Sequence, residues 1–185
     1  ADTVLVGADM YCSLLKRADL SRNDLSGTNF APKEGDKHKC VTDLSDSILS
    51  EKGVRQLLNM DLSGARLDRV DMAGWNLAGV RLAGAILKGA KLKGSDLSRA
   101  DLRGVKMSGI DLTGTVLTGA LMANANFIGA DLSGKNLKGA DLSGAKLNGA
   151  DLTQANLAGA NLAGADLSNA DLSGASLSGS KHRKG

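Results

Sequence analysis

The sequence predicts an all-β solenoid, in which short extended units stack into a rod around a continuous apolar core. Every fifth residue from Leu62 to Leu177 is large and apolar, which gives twenty-four consecutive positions, twenty of them leucine. The residue two before each position is alanine in fifteen units, and the residue two after it is glycine in nineteen. The unit reads A-D-L-S-G, as at 140–144. A fixed period of this kind indicates a repeat architecture.

The period of five explains why each unit is predicted to be a short strand followed by a turn. It matches neither a helix nor a long strand, whose side chains repeat every 3.6 and 2 residues. Within a unit, the small residue and the leucine are two apart, so an extended segment points both to one side. The glycine that follows accepts positive φ and is the natural turn position. Because no unit can bury its leucine alone, leucine must stack on leucine and alanine on alanine.

These A-(D/N)-L-x-x units resemble those of the pentapeptide repeat family, and the resemblance covers residues 1–30 and 60–180. It implies a right-handed quadrilateral β-helix with four units per coil. The square cross-section and the right hand come from the resemblance, since the spacing supplies only the inward residues and the turn. The units together amount to about eight coils.

The chain is predicted to contain two runs of coils separated by an interruption. Residues 1–30 contain six units, residues 60–180 contain the later coils, and 181–185 form a basic tail. We expect the interruption, residues 31–59, to contain an exposed loop. Within it, the apolar spacing in 51–58 predicts one short helix. Unit-like pieces around Leu44 and Leu49 would complete a coil; the alternative is that 31–58 is only a linker.

Composition argues against nucleic acid and membrane partners. The net charge is +3 and aromatic residues make up 2% of the chain, whereas platforms for single-stranded nucleic acids need aromatic side chains. No apolar run approaches the roughly 20 residues of a membrane span. The chain begins at Ala1 without methionine, so its compartment is unknown. The cytoplasm is favoured, and export is expected if Ala1 is a processed N-terminus.

The residue inventory predicts a protein that is not an enzyme and has no cofactor or metal site. The only histidines are His38 and His182. Serine and aspartate are plentiful in the repeats, but no histidine base accompanies them there. Cys12 and Cys40 form either one disulfide or two free thiols, because two cysteines are too few for a disulfide framework.

Residues twenty apart are expected to lie above one another, and two such columns are unusual. One outward column is an acidic ladder broken by Lys91, and its aspartates either bind turn amides locally or form a stripe for a cation or partner. An inward column that is elsewhere mostly alanine contains Trp75 and Lys135. Trp75 overfills an alanine-sized space, unless the chain is locally distorted there or the predicted helix lies beside it. We expect Lys135 to reach solvent through a distorted turn; the alternative is a functional buried lysine.

Two groups of residues are candidates for interaction. Val116, Leu121 and Ile128 are apolar where other units are mostly polar, which indicates either ordinary exposed residues or a contact surface. The second group is the basic residues of the central units: Arg81, Lys88, Lys91, Lys93, Arg99 and Arg103.

The leading functional hypothesis is a non-enzymatic scaffold or protein-interaction module with an unidentified protein partner. The alternative follows the resemblance to pentapeptide repeat proteins that bind type II topoisomerases by imitating DNA. Residues 60–180 contain eleven aspartates, no glutamate and twelve lysines or arginines, which imitates a duplex poorly. We also expect an end-to-end homodimer, because the end coils of a solenoid expose apolar residues unless they are capped.

Overall fold

The computed structural model describes Met10, Ser13, Leu44 and residues 61–182. In 61–182, residues twenty apart are joined by parallel β-bridges, and the bridges form four ladders. Each ladder defines one side of the solenoid. The first, second, third and fourth sides begin with the pairs Asp61–Arg81, Arg66–Ile86, Asp71–Lys91 and Asn76–Asp96. Four units therefore complete one coil, and residues 61–180 form six coils.

The repeat leaves no room for longer regular elements. Within 61–182 there is no helix, and each strand is a single bridging residue in the outward position, immediately before the large inward residue. Between consecutive bridges the chain makes a turn of the same kind in every unit. In the first described unit, for example, the Ala65 N–H donates to the Leu62 carbonyl at 3.0 Å.

The turn explains the glycine of the repeat. All nineteen glycines two residues after a large inward position have φ between 62° and 72°, as the third residue of a type II turn requires. Five units lack this glycine, yet their backbone takes the same conformation, with φ between 56° and 60°. These residues are Arg69, Arg99, Asn124, Gln154 and Asn169. The stacking of coils therefore imposes the turn even where the residue disfavours it.

The turn also explains why the outward residue is so often Asp or Asn. All fifteen outward Asp and Asn residues accept a hydrogen bond from the backbone N–H two positions later, at 2.8–3.3 Å. The acceptor is the Oδ1 atom in each case, which Asp and Asn share. The side chain thus satisfies a turn N–H that does not bond to the neighbouring coil.

The core is one column of large residues beside one of small residues on each side. From Leu62 to Leu162, every residue in the large inward position is buried. Leu44 extends the core below this region: its side chain is buried and its N–H donates to the Arg66 carbonyl at 2.9 Å. At the other end, Leu172 is partly buried and Leu177 is 37% exposed.

Several predictions concern residues that lie outside the described ones. These are the coils of 1–30 apart from Met10 and Ser13, the interruption 31–59 apart from Leu44, the helix at 51–58, and the pairing of Cys12 with Cys40.

Candidate interaction surface

The coil of residues 111–130 exposes three large apolar side chains, which we call the apolar band. Val116 is 44% exposed, Leu121 is 42% exposed and Ile128 is 37% exposed. Val116 lies on the fourth side, Leu121 on the first side that follows it along the chain, and Ile128 in the turn of the second side after that. Because these sides follow one another along the chain, the three residues wrap around the rod.

The backbone at the apolar band is anchored. The Val116 N–H donates to the Ser95 carbonyl and the Leu121 N–H to the Ala100 carbonyl, both at 2.9 Å. The Ile128 N–H donates to Asn126 Oδ1 at 3.1 Å. The N–H of each residue of the band is therefore held by a hydrogen bond.

The same coil contains an interruption of the ladders, which we call the open seam, between residues 111–119 and 131–139. Within 61–182, the first and second sides have unbroken ladders, whereas the bridges 111–131 and 116–136 are missing from the third and fourth sides. The bridge between Lys91 and Asp111 is missing as well. At the seam, four N–H groups that would regularly donate to the next coil have no backbone acceptor in the described chain. They belong to Leu112, Gly114, Leu117 and Gly119.

The side chains in the small inward positions account for the open seam. On the fourth side, Thr115 lies below Lys135, where the two coils above contain alanine. On the third side, the same level contains Ile110 in place of alanine. Inserting larger side chains into a closely packed space displaces the backbone. The Thr115 hydroxyl remains satisfied, because it donates to the Leu92 carbonyl at 3.0 Å.

Lys135 does not leave the core through a distorted turn. Its N–H keeps the usual turn bond to the Leu132 carbonyl at 3.2 Å, Gly134 has a regular φ of 62°, and the lysine side chain is half-buried. Instead, the backbone is separated from the coil below, where the bridge 116–136 is missing. Trp75 shows no such separation above it, since the Asp96 N–H donates to the Trp75 carbonyl at 2.8 Å.

Two aspartates of the third side lie within the electrostatic range of Lys135. The pKa of Asp111 is lowered chiefly by its hydrogen bonds from Thr113, and the charges of Lys93 and Lys135 lower it further. The pKa of Asp131 is lowered chiefly by the Ser133 hydroxyl and N–H and further by Lys135, while Asp111 opposes the shift. Both carboxylates are therefore ionised at neutral pH.

The acidic ladder of the third side serves the turns. Asp71, Asp111, Asp131, Asp151 and Asp171 each accept a backbone N–H two residues later, at 2.8–3.1 Å. Lys91, the residue that breaks the ladder, is bonded to an aspartate of the same ladder, because its amino group donates to Asp71 Oδ2 at 2.9 Å. Within the described residues, no group of three His, Cys, Asp or Glu side chains is arranged to bind a metal ion.

The structure distributes the predicted basic residues over all four sides. Three of them form ion pairs: Arg81 with Asp61 at 3.2 Å, Lys91 with Asp71 at 2.9 Å, and Arg103 with Asp101 at 2.6 Å. The other three, namely Lys88, Lys93 and Arg99, are exposed and have no ion pair within residues 61–182. Their role in binding stays a prediction, as does the end-to-end homodimer.

Sequence reasoning missed the open seam and the second side as a distinct surface. The signal for the seam was present in the small inward column, where the consecutive residues Ile110 and Thr115 replace alanine below Lys135. Of the residues on the second side, Lys106 is exposed and Ile86 is half-buried, and the ladder brings both beside Lys88.

Within the described part of the chain, no helix is long and apolar enough to cross a bilayer.

Comparison with known proteins places the repeat in a family. The pentapeptide repeats profile matches the chain in eight copies, over residues 61–99, 95–134, 120–159 and 145–181. No curated protein matches the chain significantly in sequence.

Among solved structures, the chain is similar to HetL, a pentapeptide repeat protein involved in heterocyst differentiation regulation from the cyanobacterium Nostoc. The identity is 36% over 96% of this chain and 84% of HetL, with a TM-score of 0.44. It is also similar to trypsin-treated QnrB1, a plasmid-mediated fluoroquinolone resistance protein, with 18% identity over 100% of this chain and 92% of that one, and a TM-score of 0.44. A pentapeptide repeat protein of the Arabidopsis thaliana thylakoid lumen is 26% identical over 58% of this chain and 68% of that one, with a TM-score of 0.20. From the matched repeats and the four ladders we conclude that the chain belongs to the pentapeptide repeat family, whose fold is a right-handed β-helix.

Proposed function

We propose that this protein is a non-enzymatic interaction scaffold that binds a protein partner through the coil of residues 111–130. The observation that carries the proposal is the apolar band, because within 61–180 the only other large apolar side chain of comparable exposure is Leu177. Apolar residues that a partner buries inside a polar rim contribute much of the free energy of binding at protein interfaces.

A scaffold function agrees with how the buried polar side chains are used. In 61–182 these are Asp68, Ser95 and Thr115. Both hydroxyls donate to the Leu92 carbonyl, at 2.7 Å from Ser95 and 3.0 Å from Thr115. Asp68 accepts from Arg66 Nε at 3.1 Å. Each of these groups therefore has a hydrogen-bond partner within the described residues.

We do not extend the proposal to DNA imitation. The aspartates of the third side support turns, and residues 61–182 contain thirteen lysines and arginines against eleven aspartates. A duplex carries about one negative charge per 1.7 Å of axis. A near-balanced surface cannot present that field to a DNA-binding enzyme.

The experiment compares partner capture by the full chain and by a variant with Val116→Ser, Leu121→Ser and Ile128→Ser. A partner that co-purifies with the tagged wild-type protein from its native host is identified, purified and titrated against both proteins. We expect the triple variant to bind at least about tenfold more weakly, a loss of about 1.4 kcal/mol, with an unchanged circular dichroism spectrum.

Leu177→Ser is the matched control, because Leu177 is also 37% exposed but lies outside the coil of 111–130. This control should retain wild-type affinity. Equal affinity of the wild-type protein and the triple variant would refute the proposed surface.

A further inference from the structure

The second side of the solenoid is its most positively charged side. Over residues 65–149 it contains five lysines or arginines and one aspartate, whereas the third side over 70–154 contains two lysines and four aspartates. The five cations are Arg66, Arg69, Lys88, Lys106 and Lys146. The two sides belong to the same coils, so two adjacent surfaces of one rod differ in charge.

Two of these cations are not neutralised by the fold. Lys88 and Lys106 are exposed, and neither forms an ion pair within residues 61–182. Arg66, in contrast, lies 3.1 Å from Asp68. The charge of Lys146 is partly offset by Asp166, whose pKa it helps to lower. Lys88 and Lys106 are therefore exposed cations of this side that no carboxylate in 61–182 pairs with.

Apolar side chains flank the two lysines. Ile86 forms a β-bridge with Lys106 and is two residues from Lys88, so it lies beside both lysines. One coil further, Asn126 forms a bridge with Lys106, and Ile128 follows it two residues later with 37% of its surface exposed. Neighbouring coils are about 4.8 Å apart, so these residues occupy roughly 10 Å along the rod. We call Ile86, Lys88, Lys106 and Ile128 the lysine–isoleucine surface.

We propose that the lysine–isoleucine surface binds an acidic segment of a protein partner, with carboxylates facing the lysines and an apolar side chain on the isoleucines. This inference rests on the proposed function, and it deepens that function by naming the side of the rod and the chemistry of the partner. A protein segment suits the surface because it supplies both kinds of side chain.

A nucleic acid does not match the same surface. Two of its four residues are isoleucines, which gain nothing from phosphates. Stacking of bases needs exposed aromatic rings. Both aromatic residues of 61–182, Trp75 and Phe127, are buried.

The test is a titration of the full chain with a fluorescent peptide that contains glutamates and two leucines. A peptide of about twelve residues, at roughly 3.3 Å per residue, covers the coils concerned. Fluorescence anisotropy measures its affinity at low and high salt. We expect saturable binding that weakens with salt and falls at least about tenfold in the double variant Lys88→Glu, Lys106→Glu. Ile128→Ser should weaken binding at both salt concentrations.

Lys138→Glu is the matched control, because Lys138 is an exposed lysine without an ion pair in 61–182 but lies on the fourth side. It should leave the affinity for the peptide unchanged. Three results would overturn the inference: no binding to the wild-type protein, equal binding to the double variant, or tighter binding of oligothymidylate through the same two lysines. Since the titration uses no host partner, its failure leaves the partner-capture experiment to decide the proposed function separately.

Discussion

Replacing Lys135 by alanine should stabilise the protein by closing the fourth-side part of the open seam. Lys135 and Thr115 occupy small inward positions on facing coils, and we infer that the bulk of the half-buried lysine keeps the two coils apart. Alanine is the residue of this position in the two coils above, at 155 and 175. The substitution removes the bulk that prevents the ladder from closing, without changing the turn.

The magnitude follows from the backbone groups at the seam. Two of the four N–H groups, those of Leu117 and Gly119, lie on the fourth side with Lys135, and each hydrogen bond restored contributes about 0.5–1.5 kcal/mol. Against this, the variant loses the packing of the lysine stem and the attraction between Lys135 and the carboxylates of Asp111 and Asp131. We expect a net gain of about 0.5–2 kcal/mol. At about 2–4 °C per kcal/mol for a chain of this length, the unfolding midpoint should rise by several degrees.

Amide hydrogen exchange supplies the assay that depends on the seam itself. In the wild-type protein, the N–H groups of Leu112 and Leu117 should exchange much faster than those of Leu132 and Leu137. The latter two donate to the next coil at 2.8 Å. In the Lys135→Ala variant, the Leu117 N–H should become protected, because it could exchange only after the restored bond to the next coil has broken.

Lys138→Ala is the control, since it removes the same charge from an exposed turn position of the same unit. Its effect on stability should stay within about 0.5 kcal/mol. A Lys135→Ala variant that is less stable than the wild-type protein, or in which the Leu117 N–H exchanges as fast as before, would refute the packing explanation of the fourth-side part of the seam.

Three further predictions concern the repeat itself. Leu162→Asp should lower the free energy of unfolding, measured by chemical denaturation, by several kcal/mol because it buries an unpaired carboxylate. The same substitution at the adjacent, exposed Ala163 should lower it little, and equal losses would contradict the assignment of Leu162 to the core. Gln154→Gly should raise stability by roughly 0.5–1 kcal/mol, because Gln154 has a φ of 59° that glycine adopts without strain; a loss of stability would show that the side chain contributes more than the turn. Acid should destabilise the fold. Carboxylates whose pKa is lower in the folded than in the unfolded chain stabilise the folded state at pH values above the ordinary carboxyl pKa of about 4. This contribution is lost as the pH falls through the folded-state pKa. A variant with Asp111, Asp131 and Asp171 all changed to Asn keeps the Oδ1 acceptors, so its unfolding midpoint should fall less between pH 5 and pH 2 than that of the wild-type protein; an equal fall would exclude these groups as the cause.

Which residues point inward and which point outward follows from the sequence alone. The alternation of side chains in an extended segment places the small residue and the leucine on one side, and the glycine determines where the chain turns. The exposure of Val116, Leu121 and Ile128 is a direct consequence, because an apolar residue in an outward or turn position cannot reach the core. These are local properties of a five-residue unit, which is why a single sequence suffices to predict them.

The tertiary structure decided the properties that depend on residues twenty apart. The spacing between coils is a collective result of the side chains stacked in one column, so Lys135 opens the ladder above Thr115 while Trp75 leaves the ladder above it closed. Charge pairing is decided in the same way. Lys91 forms an ion pair with Asp71 across the coils, whereas Lys106 forms its bridge with Ile86 and has no ion pair within 61–182. Contacts of this kind depend on the side of the solenoid to which each unit belongs. Only the closing of the coil in three dimensions assigns a unit to its side.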